Sequence, residues 1–127
     1  MIAAAGGVDV LGRPGERSFA TTWDAVLERR PEVVIAGPCG FGVEEAMERA
    51  RSLDLPVPVI AVDGDSYYSR PGPRLADGVR QLGHLLHPEV VADPGLPAIP
   101  LGRPIGPPHP VPAADSWLRG RWSTASG

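Results

Sequence analysis

Two aromatic rings, two guanidinium groups, two serine hydroxyls and two carboxylates crowd into twelve residues, Asp63-Gly64-Asp65-Ser66-Tyr67-Tyr68-Ser69-Arg70-Pro71-Gly72-Pro73-Arg74. Aromatic faces with a few polar anchors suit a pocket for a large, mostly flat ligand. The same residues would also serve a plain loop in which Asp65 and Arg74 only cap and pair. A second group lies in Gly37-Pro38-Cys39-Gly40-Phe41-Gly42. Its glycines allow close backbone approach, and a helix starting after it offers unpaired N–H groups to an anion. The order G-x-x-G-x-G is neither the dinucleotide fingerprint nor a P-loop, so it reads equally as a tight strand-to-helix turn. Cys39 sits in that turn as a candidate nucleophile, although a neutral, half-buried thiol is the commoner outcome. His84 and His87 are spaced i, i+3 and could share a helix face. No third ligand stands at metal-binding spacing, so they read as surface histidines near a helix C-terminus.

Alternating strands and helices must position these groups. Glu32-Val33-Val34-Ile35-Ala36-Gly37 is β-branched and bounded by proline and glycine, as a strand buried on both faces is. Val57-Pro58-Val59-Ile60-Ala61-Val62 is the next such run, and Val8-Asp9-Val10-Leu11 is a short third candidate. Three helices are predicted. One covers about 22–30, with Thr21 as cap, Asp24 as its capping-box partner, and Trp23, Val26 and Leu27 on one face. A second covers about 43–53, with Glu44 and Glu45 in its first turn, where the helix dipole favours them. The third runs from about Pro73, at the first helical position, to Leu86, with Leu75, Val79, Leu82 and Leu86 as its stripe. This order predicts a three-layer α/β, Rossmann-like lobe with a small parallel sheet and right-handed crossovers. Ligands of such sheets approach the carboxyl ends of the strands, where the loops after Ile35 and Val62 emerge.

Composition sets the outer limits. The 127 residues, 13.3 kDa, suffice for one modest domain. Sixteen glycines and sixteen prolines make up about a quarter of the chain, a share at which disorder is expected somewhere. Nine of the prolines fall from Pro88 onward, so 1–91 reads as the folded lobe and 92–127 as a Pro-rich, mostly disordered tail in which Trp117 and Trp122 could dock transiently. Twelve basic residues, all arginine, against fifteen acidic ones give a net charge of −3, which argues against a nucleic-acid partner. A single cysteine excludes an internal disulfide and a multi-cysteine metal site. No apolar run approaches a bilayer span, so membrane insertion is not expected. The opening Met1–Gly7 has no basic n-region or long apolar stretch, and a soluble, cytoplasmic product is expected as encoded.

The segment from Val62-Asp63-Gly64-Asp65-Ser66-Tyr67-Tyr68 through Arg70-Pro71-Gly72-Pro73-Arg74-Leu75 and Gly78 to His84-Leu85-Leu86-His87-Pro88-Glu89 resembles the end of cobalamin-binding substrate-binding proteins of ABC transporters, in the vitamin B12/iron-siderophore class. Ala5-Gly6-Gly7-Val8-Asp9-Val10-Leu11-Gly12 resembles the entry to that family's C-terminal lobe. Trp23-Asp24-Ala25-Val26-Leu27, then Pro31-Glu32-Val33-Val34-Ile35 and Pro38-Cys39-Gly40-Phe41, resemble its first helix, strand and ligand loop. The similarity covers about residues 3–90.

That resemblance implies one lobe of a two-lobed binding protein, non-catalytic, with a corrinoid or ferric siderophore held in the cleft between lobes. No cofactor is implied; cobalamin would be the ligand. Cys39, Gly40, Phe41, Asp65, Ser66, Tyr67 and Arg70 would line the ligand side. Phe41 and Tyr67 would lie on the corrin or its nucleotide base, and Arg70 with Asp65 or Ser66 would supply polar contacts. Asp24 falls near an acidic residue that the family docks on arginines of the membrane permease. The partners implied are the ligand, a missing N-terminal lobe and an ABC permease, and family members are typically extracytoplasmic. Two alternatives stand beside this one. The first is a Cys39-dependent amidotransferase-like hydrolase, since Cys39 with His87-Pro88-Glu89 supplies the residue types of class I glutamine amidotransferases. Its elbow lacks their G-x-C-x-G order, and its His-x-Glu ends a helix instead of lying on a strand. The second is a module that associates with itself.

Overall fold

The two β-branched runs form the centre of the sheet. β1 (Val34–Ala36) and β2 (Val59–Val62) lie side by side and parallel, with Val34 opposite Val59 and Ala36 opposite Ala61. The computed structural model describes residues 1–102 and Ser123–Ala125. The tail expectation places Trp117 and Trp122 outside these residues. Every residue of β1 and β2 is buried, because helices cover both faces. On one face Val33, Ile35, Ile60 and Val62 meet Leu82 and Leu86 of α4 (Arg74–Leu86) and Ala5 of a 3-10 turn (Ala3–Ala5). On the other, Val34, Ala36 and Val59 meet Ala50 of α2 (Val43–Arg51) and Trp23 of α1 (Trp23–Glu28). Each Val or Ile withdrawn from water here contributes about 1.5–3 kcal/mol. The outcome is a mixed α/β arrangement of three layers.

The sheet is not wholly parallel. β3 (Ala98–Leu101) runs antiparallel to β2, pairing Val62 with Ala98 and Val59 with Leu101. β4 (Ser123–Ala125) runs parallel to β1 on its other side, giving the order β3-β2-β1-β4. One expectation is corrected by this: the sheet is mixed, not parallel throughout. Among the described residues, strands also occur beyond residue 91. Proline density removes backbone donors, but an edge strand tolerates proline where the missing N–H would face outward. Pro100 occupies such a strand, opposite Ile60. Gln81, 2 % exposed, holds the approach to β3 by donating through Nε2 to the carbonyls of Leu96 (3.2 Å) and Pro97 (2.9 Å). His84 donates through Nδ1 to the Val91 carbonyl at 2.8 Å. The chain leaving α4 is thereby stitched back along that helix before it enters the sheet.

Smaller departures have local causes. Val8–Leu11 is not a strand but a single β-bridge at Asp9: the Asp9 carboxylate accepts from Leu11 N (3.0 Å) and Gly12 N (2.8 Å), which turns the backbone before the pairing can extend. Thr22, not Thr21, caps α1, accepting from Ala25 N at 3.3 Å, so Asp24 lies in the first turn and is not a capping-box partner. Glu45 reaches back to Gly42 N at 3.3 Å to start α2, and Pro73 sits one residue before α4. The two histidines are not idle surface groups either, because His87 donates through Nε2 to the Gly6 carbonyl at 3.0 Å and so fastens the N-terminal segment to the end of α4.

Tyr68 shares in the same stitching. Its hydroxyl donates to Gln81 Oε1 at 2.7 Å and lies 3.3 Å from the Gly78 carbonyl. Burial pushes this phenol well above its ordinary value of 10.0, since a phenolate there would lose its hydration. The folded state therefore holds the proton more tightly than the unfolded chain does. Below pH 10 that difference contributes nothing against stability. Above it the unfolded chain ionises first, and stability falls as pH rises. The expected result is an alkaline loss of stability beginning near pH 10 in denaturant melts, with a smaller slope in Tyr68→Phe.

Candidate functional site

Both parallel strands deliver their loops to one edge of the sheet, and the two loops are tied together there. After β1 comes Gly37–Gly42; after β2 comes α3 (Gly64–Tyr67), opened by Asp63, whose carboxylate accepts from Ser66 N at 2.8 Å. Asp65 N donates to the Phe41 carbonyl at 3.2 Å, so the second loop is bonded directly to the first. Gly64 makes the approach sterically feasible. A Cβ on it would lie 2.4 Å from the Pro38 carbonyl oxygen and 2.5 Å from that of Gly37. Gly78 plays the same part on α4, where a Cβ would meet the Tyr67 carbonyl at 2.4 Å. The rim is thus a three-way contact of backbone against backbone, with the Met1 side chain beside Gly78.

A concavity of about 320 Å³ opens on this rim, lined by Asp65, Ser66, Arg70, Arg74 and the Pro71–Pro73 turn. Arg70 clasps Asp65 through two nitrogens, Nε and Nη2, each 3.1 Å from Oδ1. Exposed as they are, the pair adds little to stability, but it fixes the guanidinium plane at the mouth of the hollow. Arg74 contributes a second exposed cation and makes no ion pair among the described residues. The hollow can accept hydrogen-bond acceptors or an anionic group through its arginines, with Ser66 as an additional polar lining residue.

Of the seven ligand-side residues expected from sequence, Asp65, Ser66 and Arg70 share this hollow. Cys39, Gly40, Phe41 and Tyr67 do not line it. Cys39 is exposed instead of half-buried, in the turn where Gly40 takes φ +78. Phe41 is half-buried and one face of its ring is occupied, with the Arg49 guanidinium 4.1 Å from its centroid. Tyr67 is half-buried in α3. Asp24 is exposed in the first turn of α1, outside the hollow. Sequence reasoning missed Arg49, and it counted Arg74 among the polar groups of the loop without naming it as a ligand-side residue. Arg49 stands two helical turns into α2 and Phe41 just before it, and nothing in the sequence marks that the ring lies back along the helix to meet it.

The groups named for nucleophilic chemistry stand apart in role. Cys39 lies in the loop after β1, while His84 and His87 sit at the end of α4 and bond to the carbonyls of Val91 and Gly6. Gly78 touches the rim through Tyr67, and His87 is about 13 Å further along the helix axis by helical rise. Among the described residues no group of three or more His, Cys, Asp or Glu is placed to hold a metal ion. No helix among them is long and apolar enough to cross a membrane. Comparison with protein-family models, curated proteins and solved structures finds nothing that matches this chain.

Proposed function

We propose that this chain is a non-catalytic ligand-binding lobe, with a Rossmann-like core, that offers one wall of a cleft to a corrinoid such as cobalamin, in the manner of C-terminal lobes of vitamin B12/iron-siderophore substrate-binding proteins. One observation carries the reading: the bond from Asp65 N to the Phe41 carbonyl joins the two strand-end loops into a single rim, beside which Asp65, Ser66, Arg70 and Arg74 surround a hollow. A rim of backbone-to-backbone contacts presents its side chains without reorganisation, which lowers the ordering cost of binding. The ring face of Phe41 is covered by Arg49, so a flat guest either stacks on the guanidinium or displaces it. A single wall covers one face of such a guest, which calls for a second lobe before binding becomes tight. An ABC permease would then be the next partner, with Asp24 as the docking residue.

Titration of the chain with cyanocobalamin, followed by corrin absorbance and tryptophan fluorescence, tests this. Saturable binding is expected, tightened by a separately supplied N-terminal lobe of the same class. Arg70→Ala is expected to weaken it roughly tenfold, the equivalent of about 1.4 kcal/mol, because it removes a cation and leaves the Asp65 carboxylate facing the guest unpaired. No spectral change in either mixture would overturn the reading.

A further inference from the structure

We propose that the hollow on the rim takes one phosphodiester group of its guest, held on the Arg74 guanidinium beside the closed Arg70–Asp65 pair. The inference rests on the corrinoid reading for the identity of the guest, and on the hollow itself for the chemistry. Three charged side chains, Asp65, Arg70 and Arg74, line this concavity of about 320 Å³. Two of them satisfy each other, since Nε and Nη2 of Arg70 both lie 3.1 Å from Asp65 Oδ1. A pair closed at that distance presents little net charge to a third group a few ångströms away. Arg74 is exposed and makes no ion pair among the described residues. The lining therefore carries one uncompensated positive charge, and it calls for a monoanion.

The backbone sets where that charge stands. The Pro71-Gly72-Pro73 turn joins Arg70 to Arg74 and forms part of the wall. Proline rings lock φ on either side of Gly72, which itself takes φ +150, a value that side chains with a Cβ rarely adopt. The turn closes onto the start of α4 through Leu75 N to the Gly72 carbonyl (3.2 Å) and Ala76 N to the Pro73 carbonyl (3.1 Å). So stiff a turn holds the Arg74 backbone in place before a guest arrives, and only the side chain is ordered on binding. A guanidinium is a planar fork of donors that matches two oxygens of one phosphate, and Ser66 brings a hydroxyl to the same wall. The side groups of a corrin ring are neutral amides, so the phosphodiester of the nucleotide loop is the anionic group that a complete corrinoid carries. That anion balances the cation left open in the hollow. The match selects corrinoids that keep their nucleotide loop over cobinamide, which lacks it.

The test uses the full chain and Arg74→Gln, which removes the charge while keeping a good helix former at the start of α4. Arg80→Gln is the control for net charge, since Arg80 lies on the same helix, outside the hollow, paired with Asp77 at 3.4 Å. Each protein is titrated with cyanocobalamin and with dicyanocobinamide, followed by corrin absorbance. Arg74→Gln is expected to weaken cyanocobalamin about tenfold and to leave cobinamide within about twofold, whereas Arg80→Gln moves neither. Equal loss for both corrinoids, no loss for cyanocobalamin, or the same loss from Arg80→Gln would overturn the proposal and leave the corrinoid reading intact. If neither corrinoid binds, the corrinoid reading fails and the phosphorus NMR line width of dimethyl phosphate decides, because it reads the hollow with no corrin present. Broadening by the parent chain that Arg74→Gln removes upholds the phosphodiester site. No broadening, or broadening that survives the substitution as an adventitious ion only, ends it.

Discussion

Gly64→Ala is expected to lower stability by about 2–3 kcal/mol and to abolish ligand binding together with it. The added methyl would fall 2.4 Å from the Pro38 carbonyl oxygen and 2.5 Å from that of Gly37, with the Gly37 carbonyl carbon at 2.6 Å. All three are main-chain atoms, so no rotamer change relieves the contact. Either the turn after β1 moves away by about an ångström or α3 lifts off it. Both responses break the bond from Asp65 N to the Phe41 carbonyl, and lifting α3 carries Asp65 and Arg70 out of register with the turn. The conformation of Gly64 is helical, so backbone strain is not the cause. Gly42→Ala is the control. It lies in the other loop of the same rim, in extended backbone with open space where a Cβ would go, and its effect should stay within about 1 kcal/mol. Urea midpoints give the stability of the two variants, and cyanocobalamin titration gives their binding. Equal midpoints would show that the rim is compliant and that its backbone contacts do not position the hollow.

The contrast between these two glycines explains what could be read from the sequence. Gly64 and Gly42 are indistinguishable as letters; only the approach of a second loop makes one of them irreplaceable. What was legible came from periodicity. Runs such as Val33–Ala36 and Val59–Val62 are apolar at every position because helices cover both sides, and the stripes of α2 and α4 face them at helical spacing. Proline and glycine marked the ends of those elements to within a few residues. The segment beyond residue 91 was not legible for the opposite reason. Its strand has four residues, one of them proline, and owes its place to Gln81, a polar residue that periodicity counts as surface. Of the ligand-side residues, Asp65, Ser66 and Arg70 come together because they lie within six positions on one turn. Phe41 and Tyr67 could be assigned to loops, but which way a ring faces depends on neighbours such as Arg49, which the sequence does not rank.

Gln81→Leu tests whether one buried amide holds the antiparallel edge. The side chain is enclosed, accepts from Tyr68 Oη at 2.7 Å and donates to two consecutive carbonyls, Leu96 and Pro97. Leucine matches its volume closely, so the substitution leaves no large cavity and isolates the polar contribution. The Leu96 and Pro97 carbonyls lose their donor, and the Tyr68 hydroxyl keeps only its 3.3 Å contact with the Gly78 carbonyl. Each part-buried orphan costs about 1 kcal/mol or more, and the expected loss is about 3 kcal/mol. The damage should be local before it is global. The 91–97 segment is released from α4, β3 loses the support that brings it beside β2, and amide exchange should accelerate at the Ile60–Val62 pairing while Val34–Ala36 and α2 stay protected. Tyr68→Phe alone should cost less, because Gln81 keeps both carbonyl contacts. Combined with Gln81→Leu it should add little, since the phenol has already lost its main acceptor; a coupling of about 1 kcal/mol in that double-mutant cycle is the expected reading. Strict additivity, or fast exchange spread evenly over both sheet edges, would mean that β3 is held by its ladder with β2 and that the amide is incidental to it.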